Sequence, residues 1–282
     1  MPTRVIQTCE QLSEFVADCK GRLKKIGVVP TMGALHAGHL SLVEASLSQA
    51  DVTIVTIFVN PTQFAPTEDL ATYPRHLNQD VQLLEQLGDV VVFAPDESEV
   101  YPADATTRLM PPTIAKKLEG EFRPTHFAGV ATIVLKLLNM TQADLAFFGQ
   151  KDFQQVAVVK QMVKDLNVPC EIRVCPIVRD PDGLALSSRN AFLSVAERKV
   201  ALSINKTLDE IQTQIKSGQA DGFEVITEMR QMLIDGGVDS IDYAIVANPV
   251  DLETSDPIQL PVVALIAVHV GKTRLIDNRI ID

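Results

Sequence analysis

Residues 26–47 read IGVVPTMGALHAGHLSLVEASL. Ile26 to Val29 is a short apolar run rich in valine, which has strand character, and Leu40, Val43, Leu47 and Ala50 recur at helical spacing. Between them lies a loop with two glycines and two histidines, Pro30 to His39. The stretch is therefore one β-loop-α step, and the rest of the fold is read by asking whether the step repeats.

It does, through about residue 180. Val52 to Val59 is a β-branched strand run, followed by Leu77, Val81, Leu84 and Leu87 on one helix face. Asp89 to Ala94, a helix around Val130 to Met140, Asp144 to Phe148, a helix over Phe153 to Leu166, and Glu171 to Val178 continue the alternation. Nearly continuous apolar strands separated by helices predict a parallel sheet covered on both faces. Right-handed crossovers make it an α/β, doubly wound, Rossmann-like sheet, with ligands expected at the carboxyl ends of the strands.

The pattern changes after the turn Asp180-Pro181-Asp182-Gly183. Ser194 followed by Glu197 is a capping box opening a helix to about Ser217, and a second helix spans Gly222 to about Asp235. Strand runs Ser240 to Ala247, Val262 to Val270 and Arg274 to Ile281 then lie close together, so a smaller α+β domain over 177–282 is expected after a Rossmann-like domain over 1–176.

Composition narrows the function classes. Forty-six per cent hydrophobic residues exclude a disordered chain, and 25 basic against 36 acidic residues give a net charge of −11. That balance opposes a polyanion-binding or anionic-membrane surface, and a chain without Trp has little aromatic platform for nucleic acid. The run Val262 to Val268 is far short of the roughly 18 residues of a membrane span. Glu10, Glu14 and Asp18 interrupt any apolar signal region, so a cytoplasmic chain is expected. Cys9, Cys19, Cys170 and Cys175 form no C-x-x-C pair and read as free thiols.

The strand-end loops carry the chemistry. His36 and His39 at a helix start place ring donors and backbone N–H groups on one spot, which suits phosphate, and Gly33 and Gly38 permit close backbone approach. Asn60 and Gln63 follow the second strand, where taken alone they read as amides tying a turn to backbone. Gly149-Gln150-Lys151-Asp152 opens another helix with Gln155 one turn in. A lysine at a helix start is unfavourable unless an anion lies nearby. Ser187, Ser188 and Arg189 combine hydroxyls with a guanidinium, a set that matches phosphate oxygens. Four such loops in an otherwise acidic chain exceed what chance supplies.

With PTMGALHAGH, FVNPTQF, GQKDFQQ and LSSRN in this order, the whole chain resembles the pantoate–β-alanine ligase family of the HIGH-motif nucleotidyltransferases. The resemblance implies that ATP and (R)-pantoate give pantoyl adenylate and pyrophosphate, and that β-alanine then displaces AMP to give pantothenate. It implies Mg²⁺ with the ATP, His39 as proton donor, and His36, Lys151 and Arg189 as further catalytic residues. ATP contacts are implied for Met32, Gly33, Ala34, Leu35, His36, Ala37, Gly38, His39, Gly149, Gln150, Lys151, Asp152, Val178, Leu186, Ser187, Ser188 and Arg189, and contacts to pantoate and β-alanine for Asn60, Gln63 and Gln155. It also implies a homodimer whose smaller domain closes over the ATP site. Asp80 is a candidate Mg²⁺ ligand, although the metal ligands stay open, and Tyr73, Arg123 and His126 lie in nearby motifs without an assigned role. Thr62, Gln150 and Thr125 stand where the family motif leads one to expect Met, Glu and Gly. The alternatives are a nucleotidyltransferase that keeps the nucleotide in its product and a non-catalytic nucleotide sensor.

Overall fold

A computed structural model of the chain describes residues 3–65, 69–218 and 221–282. They form two compact units, one of the described residues up to Gly149 with 154–176, the other of 150–153 with the described residues from Ile177 on.

The first unit runs β1 (Arg4–Ile6), α1 (Cys9–Gly21), β2 (Ile26–Thr31), α2 (Ala37–Leu47), β3 (Val52–Ile57), α3 (Leu77–Glu85), β4 (Val90–Phe93), α4 (Glu97–Val100), α5 (Glu119–Phe122), α6 (His126–Thr141), β5 (Leu145–Gly149), α7 (Phe153–Asp165) and β6 (Glu171–Cys175). The strands form a parallel sheet in the order β1-β4-β3-β2-β5-β6. This is the expected doubly wound sheet, with β1 and the helix α1 as an addition that the alternation does not indicate.

The alternation of side chains sorts the core into two layers. Ile26 and Val28, Ile54, Val91 and Phe93, and Ala146 and Phe148 meet Leu12 and Val16 of α1, Val130 and Leu137 of α6, and Val156 and Val159 of α7. Their neighbours Val29, Val55, Val90, Val92, Leu145 and Phe147 pack under Leu42 and Val43 of α2 and Leu84 of α3. Each valine, leucine, isoleucine or phenylalanine among them contributes about 1.5–3 kcal/mol when fully buried.

The sheet order reverses between β2 and β5, so the loops that follow these two strands leave in opposite directions and open a crevice. Asp144 sets the pair side by side at the other end. Its Oδ2 accepts the Ile26 amide at 2.7 Å, and both oxygens receive Lys20 Nζ at 2.8 and 2.9 Å.

The second unit contains α8 (Val195–Lys216), α9 (Gly222–Asp235) and the antiparallel sheet β7 (Ser240–Ala247), β8 (Val262–Val270) and β9 (Thr273–Ile281). Ile204, Leu208, Ile211, Met229 and Leu233 of the helices pack on Ala264, Ile266 and Val268. Ser194 and Glu197 form the expected capping box. The Glu171 strand ends at Cys175 instead of Val178, because Pro176 follows and Val178 joins a hairpin whose other arm is Leu186. That hairpin is fastened by Arg179, which donates to both oxygens of buried Asp277 at 2.6 and 2.9 Å. Arg198 holds the turn through Asp180 and Asp182 at 2.7 and 2.8 Å. Asn278, next on β9, donates to the carbonyls of Gln150 and Lys151 at 3.0 and 2.9 Å, which is why the turn Gln150–Asp152 belongs to this unit.

Burial pulls the Asp144 carboxyl up, but the Lys20 ammonium and the Ile26 amide outweigh it and hold it below its ordinary value. A depressed carboxyl contributes stability that is complete above its unfolded-chain pKa and is lost as the pH falls through the lower folded value. Asp144→Asn is therefore expected to lower the thermal unfolding temperature at neutral pH and to shrink the loss of stability seen below about pH 4. Parallel wild-type and variant curves of Tm against pH would contradict this role.

Candidate active site

At the head of α2 the two histidines cap each other. His36 is the N-cap, and its Nδ1 accepts the Gly38 amide at 3.2 Å while His39 Nδ1 accepts the His36 amide at 3.4 Å. A nitrogen that accepts a hydrogen bond carries no proton, so in each neutral ring the proton sits on Nε2. The ring centroids are 4.1 Å apart, which brings the two imidazoles together as a pair.

The loop before them is held by an acid. Asp80 of α3 is 2% exposed, and its Oδ1 and Oδ2 accept the Leu35 and Ala34 amides at 2.8 and 3.1 Å. Gly33 (φ +83°) and Ala34 (φ +51°) both take the left-handed conformation, and a Cβ on Gly33 would sit 3.0 Å from Asp80 Oδ2. Most backbone amides of this loop are therefore engaged within the protein. Gly33 donates to Thr31 Oγ1, Ala34 and Leu35 to Asp80, and His36, Gly38 and His39 to the capping box and the first helical turn. Only the Met32 and Ala37 amides lack a partner among the described residues. With its two oxygens spent on amides, Asp80 anchors the loop, and among the described residues no three His, Cys, Asp or Glu side chains cluster as a metal site.

After β3, Asn60 caps the turn Pro61–Gln63 and is 1% exposed. Its Nδ2 donates to Gln63 Oε1 at 3.1 Å and to the Gly129 carbonyl at 3.2 Å. Its Oδ1 accepts the Thr62 amide and hydroxyl at 3.3 and 2.9 Å and the Tyr101 hydroxyl at 3.0 Å. The polar atoms of Asn60 are thus engaged by the protein itself, and one of these bonds holds Gln63. Gln63 turns its Nε2 to Met32 Sδ at 2.9 Å, joining the loops after β2 and β3.

At the start of α7 two adjacent glutamines differ. Gln154 is buried and ties the segment before α5 through the Glu119 amide and the Ile114 and Lys117 carbonyls. Gln155 is half-buried with no hydrogen-bond partner among the described residues, as an amide kept for a ligand would be. Gly149 closes β5 just before it.

The second unit carries the remaining set. Lys151 Nζ lies 3.5 Å from Asp152 Oδ1, and Gln150 donates its amide to Asn278 Oδ1 at 3.1 Å. Ser187 accepts the Arg189 amide at 3.3 Å and so opens the turn Ser188–Phe192, while Val178 and Leu186 form the two arms of the hairpin.

The family model described as pantoate-beta-alanine ligase matches residues 4–280. Pantothenate synthetase 1 of Bradyrhizobium diazoefficiens is 47% identical over 280 residues, covering 99% of this chain and 98% of the relative. The chain belongs to the pantoate–β-alanine ligase family. Pantothenate synthetase of Acetivibrio thermocellus is 48% identical over 283 residues, covering 99% of each chain. The crystal structure of pantothenate synthetase from Thermus thermophilus matches with a TM-score of 0.93 at 36% identity, over 98% of this chain and 99% of that one. The pantoate-beta-alanine ligase of Francisella tularensis, solved with beta-gamma ATP and beta-alanine, matches with a TM-score of 0.82 at 38% identity, over 99% of this chain and 97% of that one.

Within this family member, the motif residues without a role turn out to buttress the site. His126 Nδ1 donates to the Gln63 carbonyl at 2.9 Å, and Arg123 donates to His126 Nε2 at 3.2 Å. Tyr73 sets its ring edgewise on Phe64 at 5.8 Å. Gly129 lets α6 touch the same turn, since a Cβ there would lie 2.3 Å from the Thr62 carbonyl oxygen. Of the three departures from the motif, Thr62 and Gln150 turn their polar atoms inward, and Thr125 occupies the N-cap position of α6 without a side-chain bond.

Asp80→Asn would oppose an NH₂ to one of the two loop amides. It is expected to lower kcat/KM for ATP about tenfold or more, because a buried charge-assisted bond is worth roughly 1.5–3 kcal/mol. Steady-state kinetics indistinguishable from wild type would show that the loop holds its shape without this anchor.

Proposed function

We propose that this chain is an ATP-dependent ligase that condenses (R)-pantoate with β-alanine to pantothenate, the vitamin B5 precursor of coenzyme A, with release of AMP and pyrophosphate. Family membership at 47% identity over nearly the whole chain supports the reaction. The observation that carries the residue assignment is the reciprocal capping of His36 and His39, which aims two Nε2–H donors from one helix start.

In the first step a pantoate carboxylate oxygen attacks the α-phosphorus of ATP, and pyrophosphate leaves. In the second, the amine of β-alanine attacks the acyl carbon of pantoyl adenylate, AMP leaves with the bonding electrons, and the amine loses a proton. Both steps depend on positioning and on neutralising phosphate charge. His36 and His39 donate to phosphate oxygens, with His39 the donor to the group that gains charge. Lys151, Ser187, Ser188 and Arg189 supply cations and hydroxyls, and Asp152 reaches the ribose. Mg²⁺ bound with the ATP substrate would supply further neutralisation of phosphate charge. Gln63 and Gln155 orient the pantoate carboxylate as neutral amides, which leaves the nucleophile less stabilised in the ground state than an arginine would.

The same reading has residues 177–282 close over the nucleotide and keep water from the mixed anhydride, in a cytoplasmic homodimer. Among the described residues no helix is long and apolar enough to cross a membrane.

The test is a product assay with ATP, Mg²⁺, pantoate and β-alanine. AMP, pyrophosphate and pantothenate are expected in equal amounts, and His39→Ala and Lys151→Ala are each expected to lower kcat about 10²–10³-fold with the fold intact. A product that retains the nucleotide would assign the chain to the transferases instead. Near-normal turnover of either variant at saturating ATP would remove that residue from the mechanism.

A further inference from the structure

A primary amide binds a carboxylate only through its NH₂ end, yet turning it by 180° changes its shape little. Something must therefore choose which end Gln63 presents. Its Oε1 accepts from Asn60 Nδ2 at 3.1 Å, so the NH₂ end faces away from Asn60, where it reaches Met32 Sδ. Asn60 has the same two-fold ambiguity, and three donors on its Oδ1 resolve it: the Thr62 amide, the Thr62 hydroxyl and the Tyr101 hydroxyl, at 3.3, 2.9 and 3.0 Å. If Asn60 were reversed, its NH₂ would meet these three donors, and its oxygen would meet the Gly129 carbonyl.

We propose that Tyr101 and Thr62 are positioning residues for the acid substrate, which act through Asn60 to fix the Gln63 amide with its NH₂ end toward the substrate carboxylate. The proposal rests on the reading of Gln63 as a carboxylate contact. The relay runs from the segment after α4, through the buried side chain at the end of β3, to the site, and each link is a single hydrogen bond with a defined direction.

The Tyr101 hydroxyl is built for this use. The ring lies 6.1 Å from that of Phe58, with Arg108 5.6 Å and Lys136 5.7 Å from its centroid, contacts that a phenylalanine would make equally well. Only the hydroxyl adds the bond to Asn60. Burial raises the phenol above its ordinary value, so it stays a protonated donor at neutral pH. Thr62 adds a second hydroxyl, 3.3 Å from that of Tyr101, at the position where the family motif leads one to expect methionine. In this chain the lock on Asn60 is therefore doubled.

Tyr101→Phe, Thr62→Val and the double variant remove the hydroxyl donors, leaving the Thr62 amide and Gln63 in place. The KM for pantoate is expected to rise about threefold in each single variant and about tenfold in the double, as the competent amide orientation loses population. The KM for ATP should change less than that for pantoate, because the relay meets the loop after β2 only at the Met32 side chain and makes no bond to the histidine capping box. Gln63→Ala should raise the pantoate KM by itself, and in the Gln63→Ala background Tyr101→Phe should have no further effect. If Tyr101→Phe raises the pantoate KM equally with and without Gln63, or raises both substrates' KM alike, the effect is general loosening and the relay is wrong. Unchanged pantoate KM in the double variant overturns it as well. If Gln63→Ala itself leaves the pantoate KM unchanged, the assignment of Gln63 to the carboxylate fails instead. Thr62→Val alone decides the matter should Tyr101→Phe not fold.

Discussion

Two imidazoles at the start of α2 each accept a backbone N–H on Nδ1, and the chemistry proposed for the first unit depends on that choice. Histidine is an unusual N-cap, because serine, threonine and aspartate satisfy the orphan amides at lower cost in bulk. What it adds is a second nitrogen. By spending Nδ1 on the helix, the chain fixes both rings and turns a structural requirement of the helix start into two oriented donors. On the proposed reading, capping and phosphate recognition are one arrangement, not two.

The surrounding polar groups have the complementary task of removing alternatives. Asp80 takes the Leu35 and Ala34 amides and so holds the left-handed turn at Gly33 and Ala34. Asn60, His126 and Gln154 each use their polar atoms on backbone or neighbouring side chains, leaving Gln155 as an amide with no partner among the described residues. In the second unit, consecutive residues of β9 do the same. Asp277 fastens the hairpin through Arg179, and Asn278 fastens the turn that carries Lys151. Rigid placement of this kind suits a reaction whose barrier is lowered by position and charge more than by a covalent group on the protein.

The amino-acid sequence displays the sheet and the site loops because these rest on local regularities. Short, nearly continuous apolar runs and leucines and valines at helical spacing announce β2, β3, β4, β5 and the helices between them, and the glycine and histidine spacing announces the capped loop. Leu12, Val16 and Cys19 also share one buried face of α1, a weaker signal of the same kind, whereas the three residues of β1 are too few for any period. The supports of the site are not legible. Asp80 lies 46 residues from the amide it holds, Tyr101 lies 41 from Asn60, and Asn278 lies 127 from the Lys151 carbonyl. No local pattern marks such partners, since only the folded sheet brings them together. Gly129 illustrates the point: within α6 it looks like a weak helix former, and its purpose appears only where the turn before Gln63 presses on it.

The tautomeric state of the two histidines is the most direct test of this account. Long-range ¹H–¹⁵N correlation spectra of the ligand-free protein, assigned with His36→Asn and His39→Asn, report which ring nitrogen carries the proton. The capping geometry predicts a protonated Nε2 and an unprotonated Nδ1 in both neutral rings. A protonated Nδ1 in either ring would mean that the helix start is not capped in this way, and the donors would no longer point where the chemistry needs them.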